Sequence, residues 1–178
     1  MKKLLFIILF TLASQLSAQR YMTRNAEVYF LSDMEAVDLV EATNTQVGAV
    51  IDLTQGELAF QIQMRAFHFE IALMEEHFNE NYVDSEIYPK ATFRGLLVEL
   101  PSELLQQKEV LVRGMMDFHG VQKEMEMIVT LQMMEGVLYG EAEFVLSCSD
   151  FGIEIPKLVS DKIANDIQVT VKAVLTKI

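Results

Sequence analysis

The sequence is poor in residues that cross-link a chain or interrupt regular structure. Its 178 residues include one cysteine, three prolines and eight glycines. A single cysteine excludes an intrachain disulfide, so stability must come from a buried core. We interpret Cys148 as a small buried hydrophobe rather than a reactive thiol. The few prolines and glycines and a hydrophobic content of 51% exclude a disordered or fibrous chain, and the length fits one domain.

Positive charge is also scarce. The chain has 14 lysines and arginines against 26 acidic residues, which gives a formal net charge of −12. Nucleic acids and anionic membrane surfaces would be repelled, so neither is expected as a partner. Beyond the first eighteen residues no apolar run approaches the length of a membrane span. We therefore expect no transmembrane segment in residues 19–178.

The first eighteen residues have the layout of a secretory signal. Two lysines follow the initiating methionine, residues 4–13 form an apolar stretch too short to cross a bilayer, and small residues lead to a plausible cleavage point at Ala18. We predict a cleavable signal peptide over residues 1–18 and one folded domain over residues 19–178. The expected location of the mature protein is periplasmic or secreted.

The dominant pattern in the remaining sequence is alternation of apolar and polar residues. This period of two is typical of half-buried antiparallel strands, since parallel strands are apolar on both faces. Short turn signals separate the segments and predict hairpins between neighbours. We expect an all-β fold of about eight strands, and a closed barrel would also remove exposed sheet edges. The predicted strands are residues 27–32, 46–53, 57–65, 91–100, 109–118, 122–133, 138–148 and 167–175.

Two stretches depart from the strand pattern. The apolar phase moves from even to odd positions near residues 65–67, which predicts a bulge or a strand end there. Apolar residues at helical spacing then predict a short helix over about residues 71–80. A second short helix is expected to begin near Pro156, because proline suits the first helical turn. Both helices would cover ends of the barrel.

Residues able to perform catalysis are sparse. His68, His77 and His119 stand on three segments and lack the spacing of metal ligands. Glu75 and Glu76 precede His77, but adjacent helical residues diverge, so we interpret them as a solvated helix face. No nucleophile or phosphate-loop motif is present. We expect no catalytic residue, metal or cofactor, and the alternative is an enzyme that uses His77 or His119 with a nearby glutamate.

The apolar faces of the strands are rich in methionine and phenylalanine. Six methionines fall within residues 115–134. Methionine is flexible and polarizable, so these faces could line a cavity for an elongated apolar ligand or could form a loosely specified core. In the first case Leu73 and Phe78 could plug one end. The candidate lining residues are Phe60, Ile62, Met64, Leu73, Phe78, Phe93, Met125, Met127, Val129, Leu131 and Phe144.

Four sequence motifs resemble, in order, those of the YceI-like proteins. The segment Leu73–Tyr82 is followed by the Tyr-Pro-x-Ala-Thr-Phe motif at Tyr88–Phe93. Met116–Lys123 is similar to the family's strand, His-Gly turn and strand, and Asp150–Ile153 is similar to its Asp-Phe-Gly element. The resemblance extends over roughly residues 25–178.

This resemblance implies an eight-stranded antiparallel, lipocalin-like barrel with one or two short helices. It also implies an exported protein that holds a long isoprenoid or other lipid chain, for carriage or storage. Family members often have a His-Ser pair on the first strand, where this chain has Asn25-Ala26-Glu27-Val28. If that pair holds a polar head group, the head group differs or is absent here. Besides a lipid-binding protein and an enzyme, a third hypothesis is a ligand-free structural or interaction domain.

Overall fold

Alternation along the sequence produces a closed barrel of antiparallel strands. The structure, a computed structural model, describes residues 19–32, 39–101, 103–157 and 163–178. Within these residues each strand pairs with the next, and the first pairs with the last, so the sheet has no free edge. The strands are β1 (Arg20–Ser32), β2 (Val40–Asp52), β3 (Glu57–Gln63), β4 (Lys90–Leu97), β5 (Lys108–Phe118), β6 (Val121–Met134), β7 (Val137–Ser147) and β8 (Asp166–Lys177).

The predicted eight-stranded antiparallel barrel is therefore confirmed. The predicted signal peptide and most of the predicted second helix lie outside the described residues. No helix in the described residues is long and apolar enough to cross a membrane.

The first two strands begin earlier than the sequence pattern indicated. β1 starts at Arg20 rather than near Glu27. The sequence pattern did not show this part of the strand, because register shifts against β2 between Thr23 and Val28 interrupt the regular alternation. β2 starts at Val40, six residues before the predicted start. The sequence criterion of strict alternation therefore located the regular parts of both strands and missed their irregular or more polar parts.

The predicted break after β3 is present. β3 ends at Gln63, and a 3₁₀ turn over Met64–Ala66 follows it. The predicted helix appears as α1 (Ala72–His77), which continues as a π-helical turn over Phe78–Tyr82. These segments lie across one end of the barrel, which we call the cavity end. It is formed by the last residues of β1, β3, β5 and β7 and the first residues of the even-numbered strands.

Tight hairpins set the strand register. His119 and Gly120 between β5 and β6 both have positive φ angles, 51° and 75°. Glu135 and Gly136 between β6 and β7 do so as well, at 51° and 81°. Two-residue loops with this geometry match the twist of antiparallel strands. The inward and outward faces of β5, β6 and β7 are consequently fixed by these turns.

The opposite end of the barrel, the closed end, is filled by side chains. Val112, Leu131 and Leu138 are at most 2% exposed there. Beside them the aromatic ring of Phe93 covers Gly95 and Gly114, which are register partners on β4 and β5. A Cβ atom at Gly95 would lie 2.7 Å from Cε1 of Phe93, and one at Gly114 would lie 2.6 Å from its Cζ. The two missing side chains therefore make the space that this ring occupies.

We predict that Gly114→Ala strongly destabilises the barrel. The added Cβ would lie 2.3 Å from the carbonyl oxygen of Arg94 and 2.5 Å from Cα of Gly95, and backbone atoms cannot move aside easily. We expect the free energy of unfolding in urea to fall by about 3 kcal/mol. Gly48→Ala is the control, because no atom lies within 4 Å of the Cβ position at Gly48. Its effect should stay below about 1 kcal/mol, and equal losses in both variants would contradict the packing argument.

Candidate ligand-binding cavity

The cavity end of the barrel contains an apolar cavity of about 690 Å³. Inward-facing residues of β1 to β5, β7 and β8 form its walls, and residues of α1 and the π-helical turn cover it. Among the lining residues described, only His77, Tyr82 and Cys148 have a side-chain N–H, O–H or S–H group, and none is a lysine, an arginine, an aspartate or a glutamate. A volume of this size is typical of small-molecule sites, which are mostly apolar.

The mouth of the cavity lies at the helix. Ile71 and Leu73 line the cavity and are nevertheless 43% and 57% exposed. Large apolar side chains with this degree of exposure at the edge of an apolar cavity extend its surface to solvent. A ligand that enters here meets apolar contacts before it reaches the interior.

Six of the candidate lining residues from the sequence lie in the cavity wall. Phe60 and Ile62 come from β3, Met64 follows that strand, and Phe144 comes from β7. Leu73 and Phe78 come from the helical segment. The six residues in the wall are Phe60, Ile62, Met64, Leu73, Phe78 and Phe144.

The other five candidates lie elsewhere in the barrel. Phe93 is fully buried and stacks against Phe60, and the other four belong to β6. Alternation identifies which residues face inward, but it does not tell at which level of the barrel they lie. The direction of each strand supplies that level, because consecutive strands run in opposite directions. The candidates outside the cavity wall are Phe93, Met125, Met127, Val129 and Leu131.

A cluster of four aromatic rings at the mouth contains one candidate, Phe78, and three residues that were not among the candidates. Phe30 packs against Phe67, Phe69 and Phe78, with ring centroids 5.3, 5.7 and 5.6 Å away. Phe78 also packs against Phe67 and Phe69 at 5.5 and 5.2 Å. The sequence carried a signal for two of these residues, since Phe67 and Phe69 mark the change of apolar phase after β3. What it did not show is that Phe30 meets them.

Hydrogen bonds hold the cover over the cavity. Thr43 and His68 exchange backbone N–H···O bonds of 3.1 and 2.9 Å, which attach the segment after β3 to β2. The carboxylate of Glu75 accepts a hydrogen bond of 3.2 Å from the backbone N–H of Phe69 and lies 3.2 Å from Nδ1 of His68. The side chain of Asn79 donates to the carbonyl oxygen of Glu75 at 2.8 Å. Glu75 and His68 therefore act in the attachment of the helix.

His119 lies outside the cavity wall and connects three of the sequence motifs. Its Nδ1 is 2.9 Å from the carbonyl oxygen of Phe151, and its Nε2 is 3.6 Å from the carboxylate of Asp84. The ring of Tyr88 packs against it at 4.6 Å, and a Cβ at Gly120 would lie 2.6 Å from the same tyrosine ring. These residues brace the cavity end by direct packing.

The described residues offer little for a metal or for acid–base catalysis in the cavity. No group of three or more histidine, cysteine or acidic side chains among them could hold a metal ion. Burial raises the pKa of the Tyr82 hydroxyl, because the charged form would lose water. Burial, with a further contribution from Asp166, raises the pKa of the Cys148 thiol to about 11. Cys148 is thus a neutral part of an apolar wall.

We predict that Cys148 in the folded protein resists alkylation until strongly alkaline pH. The thiolate is the reacting form, so the rate of reaction with iodoacetamide should rise with a midpoint near pH 11 instead of the ordinary value of 9.0. At pH 8 the thiolate fraction should be about a hundredfold lower than in the unfolded chain. The control is the same pH series in urea. A native midpoint near pH 9 would show that the thiol is solvated.

Comparison with known proteins places these observations in a family. The model of the YceI-like domain matches residues 21–175. No curated protein sequence matches the chain.

Solved structures share the fold at low sequence identity. A polyisoprenoid-binding domain from Saccharophagus degradans implicated in plant cell wall breakdown is 15% identical, with a TM-score of 0.77 over 90% of this chain and 99% of that domain. BcnA of Burkholderia cenocepacia is 13% identical, with a TM-score of 0.68 over 85% and 96% of the two chains. The YceI protein of Campylobacter jejuni is 14% identical, with a TM-score of 0.64 over 80% and 87%. The chain belongs to the YceI-like family.

Proposed function

We propose that this protein binds a long apolar ligand, an isoprenoid or another lipid, inside its barrel. The observation that carries the proposal is the cavity of about 690 Å³ with almost wholly apolar walls. Each methylene group moved from water into such walls contributes about 0.8 kcal/mol, less the cost of ordering the chain. The polyisoprenoid-binding domain from Saccharophagus degradans, which has the same fold, supports an isoprenoid as the ligand class.

The cavity favours a neutral ligand. A buried carboxylate or phosphate needs a cationic or hydrogen-bonding partner, and no lysine or arginine is among the described lining residues. The first strand also offers no polar group to the cavity from the segment where family members often have a His-Ser pair. Asn25 and Glu27 face outward, whereas Val28 lines the cavity. A charged head group would have to remain at the mouth, in contact with water.

We further propose that the protein is exported and carries or stores its ligand. The signal-like layout of residues 1–18 supports export. An apolar chain is poorly soluble in water, so a carrier must cover it while leaving a route for exchange. The exposed apolar edge at Ile71 and Leu73 fits that requirement.

A binding role is favoured over catalysis by the composition of the wall. The enzyme hypothesis pairs a histidine with a nearby glutamate, and both would have to lie within hydrogen-bonding reach of the substrate. His77 lines the cavity, but no acidic side chain is among the described lining residues. His119, the other histidine considered, lies outside the wall and faces Phe151 and Asp84.

The ligand itself can be identified by extraction. The purified full chain is extracted with organic solvent, and the extract is examined by mass spectrometry alongside native mass spectrometry of the protein. We expect an isoprenoid or another neutral lipid, at up to one molecule per chain. Protein that yields no lipid and takes up no apolar fluorescent probe would overturn the proposal.

We predict that Leu146→Trp reduces uptake of an apolar probe and that Val145→Trp does not. The two positions are adjacent on β7 and face opposite sides of the sheet. Leu146 lines the cavity and is 9% exposed, whereas Val145 is 59% exposed on the outer surface. A tryptophan in the cavity takes space from the ligand, so binding of N-phenyl-1-naphthylamine should weaken about tenfold or more. Equal binding by both variants would place the ligand elsewhere.

A further inference from the structure

We propose that the stacked rings of Phe60 and Phe93 form the floor of the cavity and thereby set the longest apolar chain that the protein can bury. The inference rests on the proposed function, because it concerns the ligand of the same cavity. It adds a preference for ligands up to a certain chain length, which follows from the depth of the cavity.

The boundary between cavity and core passes between these two rings. Phe60 on β3 and Phe93 on β4 are register partners, with ring centroids 5.3 Å apart and an interplanar angle of 17°. Phe60 lines the cavity, whereas Phe93 does not line it and is 0% exposed. A chain that descends from the mouth therefore meets the Phe60 ring, which stacks against the buried ring of Phe93.

The ring of Phe93 cannot easily be displaced by a longer ligand chain. Phe93 occupies the space left by the missing side chains of Gly95 and Gly114. Below it, the core of the closed end is filled by residues such as Val112 and Leu138, both 0% exposed. Protein interiors are packed as densely as organic crystals, so displacing the ring would require neighbouring side chains to move as well. The floor is therefore rigid.

The volume gives an estimate of the limit. A methylene group occupies roughly the volume of one liquid water molecule, about 30 Å³. A cavity of about 690 Å³ therefore holds roughly 20 carbon atoms, or about four isoprene units. Carbon atoms beyond this number would remain at the mouth in water and would contribute little to affinity.

The test measures affinity as a function of chain length. A series of saturated 1-monoacylglycerols, from about ten to about twenty-four acyl carbons, competes with bound N-phenyl-1-naphthylamine on the full chain. For the wild type we expect affinity to rise with length and to become constant at about twenty carbons. Linear isoprenols of increasing length should reach a constant affinity at about the same size.

Phe93→Ala should move this limit although Phe93 does not line the cavity. Removal of its ring frees roughly 100 Å³ below Phe60, which is space for three to four more carbons. A probe about four carbons beyond the wild-type limit should bind the variant up to about a hundredfold more tightly than it binds the wild type. Phe93→Leu, which preserves more of the core, should move the limit in the same direction by a smaller amount, and it replaces Phe93→Ala if that variant does not fold.

Phe151→Ala is the matched control. Phe151 is also buried, at 1% exposure, and it packs against the lining residue Phe118 without itself lining the cavity. It should weaken the fold comparably and leave the length limit unchanged. An equal shift in this control would mean that the core loosens in general, which would overturn the proposal.

The remaining outcomes separate this proposal from the proposed function. Binding without any length limit, or a limit that neither Phe93 variant moves, would overturn the floor and leave lipid binding intact. Failure of every probe to bind the wild type would overturn lipid binding itself, and the floor with it.

Discussion

The constraint on which the structure depends is that eight strands closed into a barrel enclose one narrow interior. Every inward-facing side chain from every strand competes for that space. The protein has a lone cysteine and no disulfide, so its stability must come from side chains packed there. A ligand cavity needs the same space left open. The barrel meets both needs by dividing its interior between two ends.

Phe93 lies at the boundary between the packed end of the barrel and the cavity. Its ring fills the gap over Gly95 and Gly114 and stacks against Phe60. The absence of two side chains is thus as important as the presence of the ring, because it leaves room for a large aromatic group over two neighbouring strands. The packed end stabilises the chain, and the other end can have space between its walls. Dense packing below is what allows the cavity above to keep its shape.

The sequence predicted the architecture more completely than it predicted the site, for a physical reason. Alternation is a local property, so the strands, the face that each buries and the end of β3 near Met64 could all be predicted from neighbouring residues. The level of a residue along the barrel depends on strand direction and register, which are set by pairing between distant segments. Val129 and Leu131 face inward as predicted, but they lie among the packed residues. The meeting of Phe30 with Phe67 is likewise a contact between distant segments.

The motifs that identify the family supply part of the cavity lining and also a frame around the cavity end. Leu73 and Phe78 from the first motif and Met116 from the third line the cavity. Tyr88, His119, Gly120 and Phe151 contact one another and brace the cavity end. The strands contribute apolar residues on alternating positions, which any strand of the right pattern can supply. Substitutions at these positions can change the size and polarity of the wall while the contacts among Tyr88, His119 and Phe151 stay intact. Val28 on the first strand is one such apolar lining residue.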